Sequence, residues 1–167
     1  ALDSARYENL DVLGAPVGIF ANVRMPKLAT RSGNTLELPL VLEPGARLTD
    51  MAPLAVRKQP LVLTQTELEE NTDRYVLPKG ARLAVVPAPV NVTSKFGSWS
   101  LEVKVDGVDV VATSRWEIVQ TRIGPEEYAA FRRFLEDVTR AEGGRLRFEL
   151  APTTAGLPGT AAEGDTA

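Results

Sequence analysis

The sequence predicts a mainly β protein, an antiparallel β-sandwich or barrel of six to nine strands with one C-terminal amphipathic helix and a closing strand. Three observations carry this. Short apolar segments alternate at period 2 along most of the chain, as half-buried strands do. Pro-Gly and Asp-Gly turn signals separate those segments. Only residues 125–142 switch to the 3–4 spacing of a helix. At 167 residues and 44% hydrophobic, the chain is long enough for one domain with its own core.

The elements follow in order. Residues 1–14 are expected to be a linker or the trailing end of an upstream element, with the β domain spanning 15–150. The chain opens on Ala1 rather than Met, as expected of a processed protein or, the favoured reading, of a piece cut from a longer one. A first strand fits Ala15 to Met25, interrupted by Pro16 and Gly18. Leu36, Leu38, Leu40 and Leu42 alternate with other residues and share one face of a strand. Pro39 lacks an N–H and points to an edge position there. Glu43-Pro44-Gly45-Ala46 then reads as a turn.

Pro60 to Leu68 and Asp73 to Leu77 read as two strands around a polar loop, Glu69-Glu70-Asn71-Thr72. Ala81 to Val86 is a further strand after the Leu77-Pro78-Lys79-Gly80 turn, and Val90 to Ser94 starts another. Trp99, Leu101, Val103 and Val105 alternate with polar residues up to Asp106-Gly107. That pair is preferred in two-residue type I′ hairpins, where both positions need positive φ. Val108 to Thr121 returns.

At Gly124-Pro125 the pattern changes. Pro125 suits the first helical position, and Glu126 and Glu127 suit its positive end. Tyr128, Phe131, Leu135 and Val138 form an apolar stripe, widened by Phe134. Arg132–Glu136 and Arg133–Asp137 have the i,i+4 spacing of outer ion pairs. Gly143 and Gly144 end the helix, and Leu146, Phe148 and Leu150 alternate as the closing strand. Residues 151–167, rich in Ala, Gly, Thr and Pro, are expected to be a disordered tail.

Composition excludes several chemistries. The chain has no cysteine and no histidine, so it holds no disulfide, thiol nucleophile, Ser-His pair or zinc site of the Cys/His kind. No catalytic residue and no cofactor is expected. Net charge is −3, with the basic residues scattered. This is unlike a nucleic-acid binder, whose affinity rests on phosphate neutralisation. No apolar run has the roughly 18 residues that membrane insertion needs.

Four features are candidate sites. Glu67, Glu69, Glu70 and Asp73 form the one dense acidic cluster, either a solvated loop or a weak calcium site. A hydrolase built on paired carboxylates is the least favoured reading. Trp99 and Trp116 fit core packing better than a sugar-stacking platform. Arg57, ahead of Pro60-Leu61, fits a structural guanidinium on backbone carbonyls or a carboxylate better than a ligand contact. Asn91-Val92-Thr93 matches a glycosylation triplet that arises easily by chance.

A resemblance rests on the order of several short motifs. They are Arg57-x-x-Pro60-Leu61, Leu77-Pro78-Lys79-Gly80, Pro87-x-Pro89-Val90, Phe96-Gly97-Ser98-Trp99, Arg115, and the helix Tyr128…Phe131…Phe134 followed by the Leu146–Leu150 strand. In this order they resemble the C-terminal β domain, a domain of unknown function, of bacterial transglutaminase-like proteins. There the β domain follows a papain-like core that carries a Cys-His-Asp triad, which this chain cannot supply. The resemblance implies a non-catalytic accessory domain that packs on the upstream domain of the same polypeptide, in a periplasmic or envelope-associated protein. The alternative is an independent β-sandwich module that binds an envelope glycan or another envelope protein.

Overall fold

The computed structural model describes residues 1–42, 44–45, 47–77, 79–106 and 109–150. Chain order is β1 (Leu2–Glu8), β2 (Gly18–Val23), β3 (Thr30–Ser32), β4 (Thr35–Pro39), α1 (Arg47–Met51), β5 (Leu61–Val62) and β6 (Glu67–Val76). There follow β7 (Arg82–Leu83), β8 (Val90–Ser94), β9 (Gly97–Asp106), β10 (Asp109–Ile118), β11 (Arg122–Ile123), α2 (Tyr128–Glu142) and β12 (Arg145–Glu149). All pairings are antiparallel. Among the described residues two sheets have four strands, in the orders β6-β10-β9-β8 and β3-β4-β12-β7; β1-β2 and β11-β5 form ribbons, and no sheet closes into a barrel.

The core is built where the alternation is strongest. Trp99, Leu101 and Val103 of β9 and Val110, Ala112, Trp116 and Ile118 of β10 are buried on one sheet face. Trp99 and Trp116 are direct cross-strand partners. Gly97 starts β9 because nothing larger fits: a Cβ there would lie 2.0 Å from the Glu117 carbonyl oxygen. Helix α2 lays its stripe against this face. Phe134 stacks on Trp116, with centroids 5.6 Å apart and planes at 9°, and Phe131 meets Phe96 edge-on at 5.3 Å. Each of these aromatics contributes about 1.5–3 kcal/mol through burial alone. The second sheet joins the same core through Tyr75, whose ring packs 6.4 Å from Phe148 and whose hydroxyl donates to the Pro39 carbonyl at 2.9 Å. Helix α2 also holds the segment after α1. Tyr128 Oη–H donates to the Leu54 carbonyl at 2.7 Å, and Arg132 donates to the Ala52 and Leu54 carbonyls at 2.9 Å.

Several sequence expectations are corrected. Residues 1–14 contain strand β1, paired with β2. Residues 69–72 are no loop but the middle of β6, paired along its length with β10. Their polarity belongs to an edge strand, where like charges discourage pairing with a second copy of the same edge. Conversely, Pro60 to Leu68 is broken, with β5 and β6 separated by residues 63–66. Strand β4 is interior rather than an edge; Pro39 sits at its end, beyond the reach of β3, which pairs only as far as Glu37.

Asp106 pairs with Asp109; Gly107 of the expected Asp106-Gly107 turn, and Val108, lie outside the described residues. Helix α2 begins at Tyr128, three residues after Pro125, with Glu127 as its N-cap. Arg132–Glu136 forms at 3.1 Å, whereas Asp137 pairs with Arg140 at 2.7 Å rather than with Arg133. Helix α1 and strands β3, β5, β7 and β11 are too short to show a period, which is why the described residues hold more strands than expected. Glu43 and Ala46 of the expected turn, Pro78, and the 151–167 tail lie outside the described residues.

Candidate functional site

The acidic cluster becomes intelligible once β6 is a strand. Successive side chains point to opposite faces, which separates Glu70 from Glu67, Glu69 and Asp73, and each carboxylate meets a different partner. On the outer face Glu70 pairs with Arg115. On the other, Glu67 accepts the Trp116 indole N–H at 3.0 Å, Glu69 accepts from Asn71 at 2.7 Å, and Asp73 accepts the Leu42 backbone N–H at 3.2 Å. Among the described residues no group of His, Cys, Asp or Glu side chains is placed to hold a metal ion.

The most concentrated chemistry surrounds Arg47, which sequence reasoning missed. Its guanidinium lies 3.3 Å from Glu69 and 3.4 Å from Glu142, with its carbon 4.3 Å from the Trp116 ring centroid. It thus clamps α1, β6 and the end of α2 together. Glu142 is buried, and its Oε2 has no hydrogen-bond partner among the described residues. Burial pushes its carboxyl above the usual carboxylate range, with Arg47 pulling the other way. The Asn71 hydrogen bond and Arg47 hold Glu69 below its ordinary value against the opposing effect of burial. A signal for Glu142 was present: positions 128, 131, 135, 138 and 142 form one stripe, so a carboxylate continues an apolar face. Arg47 carries no comparable signal, since α1 is a single short helix.

Beside this clamp runs a groove of about 900 Å³ between α1 and residues 61–69, lined by Arg47, Asp50, Leu61, Glu67, Leu68 and Glu69 among others. A smaller recess of about 310 Å³, bounded by Asn91, Ser100, Glu102, Thr113 and Arg115, lies along the outer sheet face. The sequence candidates are elsewhere. Trp99 is buried, 1% exposed, and Trp116 likewise, so neither offers a ring to a sugar. Arg57 is half-buried; its Nε–H donates to the Gln59 carbonyl at 3.5 Å, and its guanidinium lies 5.8 Å from the Tyr128 ring centroid. It is not a lining residue of either cavity.

A second feature is a surface. In the β1–β2 ribbon the register places Ala5 opposite Ala21 and Tyr7 opposite Ile19, between the pairs Ser4–Asn22, Arg6–Phe20 and Glu8–Gly18. Alternation therefore puts Ala5, Tyr7, Ile19 and Ala21 on one face. The other face is tied together by Arg6 over the Phe20 ring at 4.3 Å, the Arg6–Glu8 pair and an Asn22–Ser4 hydrogen bond of 2.9 Å. The apolar face is uncovered, with Tyr7 56% and Ile19 68% exposed, and no residue of the ribbon joins the core.

The core and the Arg47 clamp fall inside a family model that matches residues 38–148, about two thirds of the chain. The chain belongs to the DUF3858 family. That family is described as a domain of unknown function with solved structure. The match includes β5–β11, α1 and α2 and excludes the β1–β2 ribbon. A crystal structure described as "a putative protease from Parabacteroides distasonis" shares the fold, with TM-score 0.53 and 20% sequence identity over 64% of this chain. The chain spans only 21% of that protein's length. No curated protein matches the sequence significantly.

Proposed function

We propose that the chain is a non-catalytic accessory module of a transglutaminase-like protein, seated on the upstream domain of the same polypeptide through the apolar face of the β1–β2 ribbon. The observation that carries this is the uncovered row Ala5, Tyr7, Ile19 and Ala21 on a ribbon that is otherwise pinned on its polar side. An isolated two-stranded ribbon is marginally stable in water, and an exposed apolar face of this kind is characteristic of an interaction surface. The resemblance to the C-terminal domain of transglutaminase-like proteins supplies the partner. A structural neighbour about five times the aligned length, bearing a protease description, is compatible with a β module appended to a papain-like body. The absence of Cys and His leaves a nucleophile of that kind to the neighbouring domain.

Hydrogen exchange tests the reading. Amides of residues 2–23 exchange fast in the isolated chain and become protected when the upstream domain is present, and Ile19→Ser removes that protection. Equal exchange in both contexts overturns the docking. Turnover of transglutaminase, protease or esterase substrates by the repurified chain overturns its non-catalytic character.

A further inference from the structure

We infer that the groove between α1 and residues 61–69 binds an extended, basic segment of another polypeptide by strand addition to the free side of β6. Among the described residues β6 pairs with β10 alone and β5 with β11 alone, so each has one side without a strand partner there. An unpaired edge offers its backbone N–H and C=O groups to an added strand, and the flanking side chains then choose the sequence. Here the flanking groups are explicit. Val62 and Leu68 are 64% and 60% exposed, giving an apolar step at each end of the 61–69 stretch.

The groove lining is net acidic, with Asp50, Glu67 and Glu69 against Arg47. Arg47, the basic residue among the lining groups, is already held by Glu69 and Glu142. Glu67 and Asp50 line the groove and accept hydrogen bonds from the neutral donors Trp116 and Thr49. Like charge disfavours a second copy of the same edge. It also disfavours the C-terminal tail, whose charged side chains are Glu163 and Asp165. A segment alternating Lys or Arg with aliphatic residues meets both the carboxylates and the apolar steps. This inference is independent of the ribbon, which lies outside the groove.

The test uses the full chain and a capped hexapeptide of alternating Lys and Val. Its controls are a Glu–Val twin and two versions N-methylated at either the Lys or the Val positions. An added strand donates from alternate residues, so one methylation pattern abolishes binding and the other leaves it. The expected readout is a shift of the amides of 62–68 and of the Trp116 indole N–H, which reports on Glu67. The Glu–Val twin is expected to bind at least about tenfold more weakly, and Asp50→Lys to weaken the Lys–Val peptide severalfold at an unchanged melting temperature. No shift at millimolar peptide, equal binding of the twin, indifference to both methylation patterns, or shifts confined to the Arg115 face would each overturn the inference.

Discussion

Two hairpins of this chain are built on the same alternation and meet different fates. In β9–β10, Trp99 and Trp116 stand opposite each other and are each 1% exposed, because α2 lies over them. In β1–β2, Tyr7 and Ile19 stand opposite each other in the same way and remain 56% and 68% exposed. Period-2 patterning reports that one face of a strand is apolar; it does not report where the matching surface is. The C-terminal hairpin has its cover encoded some ten residues later, as a helix with a matching stripe. The N-terminal one has no such cover among the described residues, and its face is the one proposed above to dock.

The largest expected effect sharpens this contrast from the covered side. Phe131 is 0% exposed and packs edge-on against Phe96, so Phe131→Ala should cost about 3–5 kcal/mol in urea melts. A midpoint equal to that of the parent would mean that α2 is held by something other than its stripe. Next is the Arg47 clamp. Burial raises the folded-state pKa of Glu142, so the folded state binds its proton more readily than the unfolded chain does. Stability relative to Glu142→Gln should therefore rise as pH falls through the raised folded value toward the ordinary 4.5, and be lowest above that window. Glu69, whose pKa is lowered, acts in the opposite sense and loses its contribution on acidification, so the comparison must be made between the two variants at each pH. A flat difference would remove Glu142 from the buried cluster.

Smaller effects test the uncovered side. Ile19→Ser should change the melting midpoint by less than about 0.5 kcal/mol, the usual range for surface positions, while disrupting docking to the upstream domain. A large loss would show that the ribbon leans on this chain's own core. Truncation after Leu150 should have the least effect, since 151–167 has no apolar periodicity to bury; a shifted midpoint in the same urea melts would contradict that.

Much of the covered half was legible in the sequence. The helix stripe, the β9 alternation and the Leu146–Phe148 strand all repeat their period often enough to be read. The candidate site was not, for two physical reasons. Arg47 belongs to a five-residue helix and gains its neighbours from β6 and α2, which are distant in sequence. The acidic run 67–73 looked like a loop because composition alone does not distinguish a solvated turn from an edge strand whose charges are answered across the sheet by Arg115 and Trp116. Glu142 was the one visible clue, a carboxylate on an apolar stripe.

The pairing of β4 with β12 bears on how the chain is made. Leu36 and Leu38 find Phe148 and Leu146 across the sheet, yet those partners emerge only after roughly a hundred further residues, at roughly 5–20 residues per second during synthesis. For those seconds the leucine strand has just the short β3 beside it, while β8, β9 and β10 can assemble from neighbouring segments. The sheet that joins the two ends of the domain is thus completed last, and a nascent chain arrested short of Phe148 would leave an aliphatic strand waiting for a neighbour.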